Sequence, residues 1–413
     1  MKKIMFYCQN LMGMGHLVRS AEIIRSLVTQ FEVCLIDGGP IVQNFEIPSS
    51  VKTIRIPALR VRNRNLEVVD NNLNLEEVKE IRKHRLLQIL DKFQPDCLIT
   101  EGYPFSKGKL AFELIPLLEK VKSSKGRTKA VCCVRDIVLS KNYYQDKAKL
   151  EIKKRDLMNR YYDLLLVHSD PKIHKLEENF SLTGEIKCNI NYTGYVAQSP
   201  PINLPPTAED IAGLSNKEPM ILVSIGGGRF GHELIEKILD ASTILEKFLP
   251  HKIQIFTGPF MPEDKFLELQ QLAANKNNIN FRRYTAHLLS YMRKSALSIS
   301  LGGYNTTMNV LRTGVNAIIY PSNDGSEQRT RSEKLEKLGI LDVLRPEDLP
   351  SERLAQKIIT SLHNKRNIEI LNYVELQGAQ NTTKFIQELL KIESVNPSEE
   401  SSFKWETEHS LSI

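Results

Sequence analysis

Residues Gly302-Gly303-Tyr304-Asn305-Thr306 lie where a strand gives way to a helix, and the acid–amide pair Glu327-Gln328 follows about one strand–helix unit later. A helix start offers unpaired backbone N–H groups and the positive end of a dipole, which favour an anion such as a diphosphate. A carboxylate accepts from two hydroxyls, and an amide both donates and accepts, so Glu327 and Gln328 suit the hydroxyls of a sugar. These are the parts that would hold a nucleotide-activated sugar. Asn305 or Thr306 is expected to cap the helix through a side-chain oxygen, and Gly314 to stop it in the left-handed region.

The N-terminus carries a second such turn, Gly13-Met14-Gly15-His16, directly after the apolar run 4–8. It is not the dinucleotide fingerprint, because position 18 is Val where a third glycine is needed, and so nicotinamide chemistry is disfavoured. His16 stands at the strand-end edge where open α/β folds bind ligands, and a neutral imidazole there could deprotonate an acceptor hydroxyl. The plainer alternative is a histidine that caps the helix and orders the loop. Gly226-Gly227-Gly228-Arg229 repeats the pattern, as a cradle for a diphosphate or as a loop with a surface arginine. No Asp-x-Asp motif occurs, so no metal and no other cofactor is expected. Leaving-group charge then falls to helix N-termini and Arg229.

Apolar runs at 4–8, 31–36, 51–56, 97–100, 130–134 and 164–168 alternate with helical patterns at 18–27, 75–93 and 109–121. Continuous apolar strands between helices imply a parallel sheet covered on both faces. The pattern restarts with strands at 220–225, 252–257, 296–301 and 316–320. Prolines 200, 201, 205 and 206 interrupt both kinds of element between the two series. The expected organisation is an α/β chain with a Rossmann-like acceptor-binding domain at 1–198 and a proline-rich linker at 199–218. A Rossmann-like donor domain at 219–370 would follow, then a helix at 371–392 packing back across the domains and a disordered tail at 393–413.

The 413 residues are 41% hydrophobic and 25% charged, an ordinary composition for two such domains. Lys and Arg number 56 against 49 Asp and Glu, a net charge of +7 that suits an anionic substrate but is no nucleic-acid signature. Six cysteines without a Cys-x-x-Cys pair read as buried free thiols in a reducing compartment. No signal peptide or membrane-spanning stretch is evident, which predicts a cytoplasmic protein. The basic segment 54–65, with Arg55, Arg60, Arg62 and Arg64, is either a contact for the acidic inner face of a membrane or a solvated loop.

The chain resembles the GT-B glycosyltransferases, two Rossmann-like domains facing each other across a cleft. Within them it is similar to a bacterial group of predicted glycosyltransferases. That group is related to the transferase that adds N-acetylglucosamine to the lipid-linked peptidoglycan precursor (a family 28-like C-terminal domain). The resemblance is carried by Gly13-Met14-Gly15-His16, Pro95-Asp96, Gly102-Tyr103-Pro104-Phe105, Glu113-Leu114 and Arg135-Asp136-Ile137. Thr257-Gly258-Pro259-Phe260, the Gly302–Thr306 turn and Glu327-Gln328 continue it.

The resemblance implies a metal-independent, inverting transferase that moves a sugar from a uridine-linked nucleotide diphosphate to an acceptor hydroxyl. His16 would be catalytic. Gly226, Gly227, Gly228, Arg229, Gly302, Gly303, Asn305 and Thr306 would meet the diphosphate, and Glu327 and Gln328 the sugar. Thr285, Ala286, His287 and Leu288 would flank the base. Gly13, Gly15, Glu101, Gly102, Tyr103, Arg135 and Asp136 would form acceptor-side loops. The family usually carries a glutamate for the ribose where this sequence has Asn309, which can still hydrogen-bond a ribose but without charge. The partners implied are a nucleotide-sugar donor and an acceptor that is a lipid-linked sugar, a glycan or a small molecule. The string Gly13-x-Gly15-His16-x-x-Arg19 also resembles the sugar-nucleotide hydrolase of pseudaminic acid synthesis. A hydrolase, or a non-catalytic nucleotide-sugar-binding protein, is the alternative.

Overall fold

Apolar runs in the first half become strands buried on both faces. In the computed structural model they assemble into a seven-stranded, all-parallel sheet. The structure describes residues 1–391 except 12, 43–44, 64, 70–72, 125, 139–145, 249, 322–325 and 365–367. The expected tail at 393–413 lies outside the described residues.

The first sheet contains β1 (Lys3–Cys8), β2 (Glu32–Asp37) and β3 (Lys52–Arg55). The antiparallel hairpin β4 (Leu59–Arg62) and β5 (Asn65–Val68) stands apart from it. The sheet continues with β6 (Cys97–Glu101), β7 (Lys129–Arg135), β8 (Leu164–His168) and β9 (Asn189–Tyr192), in the order β3-β2-β1-β6-β7-β8-β9. The helices of this half are α1 (Gly15–Leu27), α2 (Leu75–Phe93), α3 (Ala111–Ser123) and α4 (Lys147–Tyr161). A buried network ties α2 and α3 to the sheet. Arg82 bonds Glu113 at 2.6 and 2.8 Å, and Tyr7 donates to the same carboxylate. Arg82 also reaches Gln9 Oε1 at 2.9 Å and the Pro57 carbonyl at 2.5 Å, fixing the loops after β1 and β3.

The segment expected as linker contains a helix, α5 (Ala208–Ser215), because Thr207 and Asp210 cap each other's backbone at its start. The second sheet is built from β10 (Met220–Ser224), β11 (Lys252–Phe256), β12 (Ile279–Arg282), β13 (Leu297–Leu301), β14 (Ala317–Tyr320) and β15 (Asp342–Val343). It is also all parallel, in the order β12-β11-β10-β13-β14-β15. Its helices are α6 (His232–Leu245), α7 (Glu263–Ala273), α8 (Leu288–Lys294), α9 (Tyr304–Thr313), α10 (Ser326–Lys337) and α11 (Ser351–His363). Gly314 adopts φ +68° and returns its N–H to Val310 at 3.0 Å, ending α9 as the sequence predicts.

The last described helix, α12 (Gly378–Leu389), lies on the first sheet rather than the second. Ala379 and Ile386 join Ile4, Phe6, Ile23 and Ile24 in one core cluster, and Ser26 bonds Thr383 at 2.7 Å.

Candidate functional site

Each sheet reverses its winding order once. The first does so between β1 and β6, the second between β10 and β13. Helices leave such neighbours on opposite faces, and the gap beyond the strand ends is where open α/β folds receive ligands. His16 follows β1 and Glu101 ends β6, while Gly226–Arg229 follow β10 and Gly302–Thr306 follow β13. The two gaps face each other, and the Asn305 amide donates to the Gly15 carbonyl at 2.9 Å across them.

α1 begins at Gly15, three residues before the apolar pattern suggests, so His16 is inside the first turn. Its ring does not cap the helix. Nδ1 instead lies 2.7 Å from Glu101 Oε1. The Arg19 guanidinium, one turn further along α1, donates to the same oxygen. Lys107 Nζ stands 4.0 Å from Oε2. Burial alone would raise the Glu101 carboxyl, but His16, Arg19 and Lys107 hold it well below the usual range. Burial first and the Arg135 charge second bring His16 down to about 3, against the pull of Glu101. The imidazole is therefore neutral at pH 7, its Nδ1–H is given to the carboxylate, and Nε2 carries the lone pair. The side chain is 24% exposed, enough to meet a hydroxyl.

On the opposite side, the N-cap of α9 is Gly303, which has no side chain to cap the helix. Asn305 and Thr306, expected as caps, lie within the helix, and the Asn305 amide is turned toward the first domain instead. The absence of a cap leaves the helix start open to an anion. Gly302 packs against α10, where an added Cβ would lie 3.2 Å from Gln328 Cβ. Glu327 accepts from Arg331 at 2.7 Å and lies 3.5 Å from Arg135.

Several expected site residues have other work. Asp136 takes a bidentate bond from Arg331 at 2.6 and 2.7 Å and is 1% exposed, so it joins the domains rather than meeting an acceptor. Glu101 is also buried, with His16 Nδ1 against its carboxylate. The Tyr103 ring belongs to the first core, and Gly102 turns at φ +87° beneath it. Asn309 is 1% exposed and gives its amide to Gln198 at 2.7 Å. Gly228 sits at φ +86° where an added Cβ would collide with the Thr257 carbonyl, so that glycine serves loop packing. Gly226 borders open space among the described residues, an added Cβ at Gly227 would touch the Phe260 ring at 3.6 Å, and Arg229 rests on that ring at 5.1 Å.

Thr285 is buried, bonds Asp210 at 2.9 Å and accepts from the His287 N–H at 2.9 Å, which shapes the turn through Ala286 into Leu288. Gly13 has no atom within 4 Å of an added Cβ. Of the basic segment, Arg55 pairs with Asp37 at 2.5 Å and Arg60 with Glu67 at 3.2 Å, both in the first domain, while Arg64 lies outside the described residues.

Arg19, Tyr304 and Arg331 were not singled out by sequence as a group. Three guanidinium groups surround the Tyr304 ring, from Arg331, Arg19 and Arg135, at 5.3, 5.5 and 5.7 Å from its centroid. The Tyr304 hydroxyl donates to the His168 carbonyl and accepts from Val196 N–H, each at 3.1 Å. Spacing held part of the signal, since Arg19 is one turn from His16 and Arg331 one turn from Glu327.

Residues 220–388 match the glycosyltransferase family 28 C-terminal domain. An uncharacterized glycosyltransferase of Methanosarcina acetivorans is 21% identical over 274 residues, 64% of this chain and 63% of that protein. The chain thus spans just under two thirds of that relative. One from Methanosarcina mazei is 20% identical over 83% of this chain and 85% of its own. Among solved structures, the glycotransferase of kitacinnamycin aligns with TM-score 0.62 at 13% identity, covering 94% of this chain and 99% of that one. Acinetobacter baumannii MurG aligns with TM-score 0.54 at 13% identity, covering 95% and 99%. A Listeria monocytogenes protein described as a UDP-N-acetylglucosamine 2-epimerase aligns with TM-score 0.63 at 13% identity, covering 95% and 96%. These structures share the two-domain frame, and their likeness speaks to fold alone.

Proposed function

For a GT-B chain whose second half is a glycosyltransferase family 28 C-terminal domain, we propose transfer of a sugar from a nucleotide-diphosphate sugar, uridine-linked, to an acceptor hydroxyl. The reaction proceeds with inversion and without a metal. The observation that carries this reading is the His16–Glu101 pair standing across the cleft from the uncapped start of α9, with Asn305 bridging the two. The donor diphosphate lies on the α9 N-terminus, Glu327 and Gln328 meet the sugar, and the acceptor enters beside His16. The acceptor oxygen attacks C1 opposite the phosphate as the C1–O bond breaks. The proton passes to His16 Nε2, and Glu101 stabilises the imidazolium that forms. The nucleoside diphosphate leaves with the electron pair.

A hydrolase reading is supported by Arg19, which ends the histidine-containing string and shares the Glu101 oxygen with His16. Water would then take the acceptor's place. Purified protein incubated with UDP-sugars alone separates the two, since fast hydrolysis without acceptor favours the hydrolase. For either chemistry, His16→Ala should lower turnover by about 10²–10⁴-fold and leave nucleoside diphosphate affinity within a few-fold. Calorimetry showing lost UDP binding beside normal kinetics would remove His16 from this role.

A further inference from the structure

Arg135 is loosely held in the cleft. Its Nη1 is 3.5 Å from Glu327 Oε1, while Arg331 holds that same oxygen at 2.7 Å. Its Nε is buried without a partner among the described residues. The side chain is 20% exposed, so it spans interior and cleft. It stacks on Tyr304, the first residue of α9, and its Nη2 borders Gly15 at the spot that Asn305, the second residue, also borders. A guanidinium carried by the first domain therefore stands at the open helix start of the second. Around it, among the described residues, four cations (Arg19, Lys107, Arg135 and Arg331) share three carboxylates (Glu101, Asp136 and Glu327). Burial works against the charge on Arg135, and Glu327 only partly offsets it. Among the described residues such an arrangement is one anion short.

We propose that Arg135 is a catalytic residue that reaches from the first domain to bind the donor diphosphate and meet the charge of the departing nucleoside diphosphate. The proposal rests on the transfer reading above. As the bond between acceptor oxygen and C1 forms, the C1–O bond to the diphosphate breaks and its electron pair stays on the phosphate oxygen. The acceptor proton goes to His16 Nε2. The leaving group thus gains a unit of negative charge, and a planar guanidinium suits two of its oxygens. The resemblance places Arg135 in an acceptor-side loop. Its neighbours on α9 give it to the donor. Because the charge comes from the opposite domain, it is in place only when the domains are together.

The test is calorimetry on the full chain with UDP, GDP, CDP and dTDP, each beside its nucleoside, for wild type, Arg135→Gln and Arg135→Lys. Melting temperatures without ligand follow the fold. Arg135→Gln should weaken the preferred diphosphate about 10- to 100-fold, as lost charged hydrogen bonds do, and leave the nucleoside within about twofold. Arg135→Lys should recover part of the loss. Equal losses for diphosphate and nucleoside, or no loss, overturn the proposal. Should the glutamine variant not fold, Arg135→Lys decides by the same ratio, with an unchanged ratio overturning it. A wild-type chain that binds no nucleoside diphosphate defeats the transfer reading and this proposal together, whereas binding with unchanged selectivity defeats the proposal alone.

Discussion

Glu101 orients His16 and opposes the loss of proton affinity that burial and Arg135 impose on it. It is a carboxylate at a strand end, walled in by Arg19, Lys107 and the imidazole, and it stays ionised although buried. Replacing it with Gln keeps the shape and removes the charge, so turnover should drop by about 10²–10⁴-fold, as when an imidazole loses its orienting carboxylate. A steady-state assay with the best UDP-sugar checks this, and near-normal kcat would show that His16 needs no such partner. The histidine also leaves a mark on stability. Its folded value of about 3 lies below the ordinary ~6.5. Between those limits the unfolded chain binds a proton that the folded chain does not, so stability falls as pH falls through that window. From pH 7 to pH 5 the melting temperature of wild type should decline more than that of His16→Gln. Equal declines would mean that the fold does not lower the proton affinity of the imidazole.

At the scale of elements, the Arg82–Glu113 pair fixes α2 and α3 against the first sheet with both side chains fully buried. Arg82→Ala would leave the buried Glu113 without its guanidinium partner, keeping only the Tyr7 hydroxyl among the described donors to it, which costs about 3–5 kcal/mol. Urea unfolding followed by circular dichroism measures it, and a loss under about 1 kcal/mol would contradict the geometry. Such elements were unevenly legible. Ten of the thirteen strands in the two sheets, and α2, stand out because their apolar runs or caps are local signals, whereas β9, β12 and β15 carry none, being short and only partly buried. α4 escaped notice because only Glu151, Lys154, Met158 and Tyr161 are buried along its length, two of them charged. The hairpin β4–β5 was read as a basic loop because arginines alternate with its apolar residues. At the site, the glycine turns and His16 were visible, and Glu101 was visible as an acid. That it holds His16, and that Arg331 crosses to Asp136, depends on contacts 85 and 195 residues apart, which spacing cannot report.

Over the whole molecule, the two halves are joined at several points. Tyr304 reaches His168 and Val196, Asn309 reaches Gln198 and Arg331 grips Asp136 in the interior, and Lys334 pairs with Glu178 at 2.5 Å at the surface. The first sheet also relies on the last described helix. Ending the chain at Gln377 removes Ala379 and Ile386 from the cluster under β1 and α1. That truncation should melt the first domain early and expose its sheet, read as a new low-temperature transition with dye binding. An unchanged melting profile would show that α12 is dispensable.

The placement of α12 also bears on how such a protein is made and inherited. A ribosome that has finished the first half has yet to produce the piece that seals it, so that half must wait, unsealed, until the second half has emerged. Recombination that trades one second half for another would have to carry the trailing helix along with its old neighbour, or find a replacement that fits the same groove.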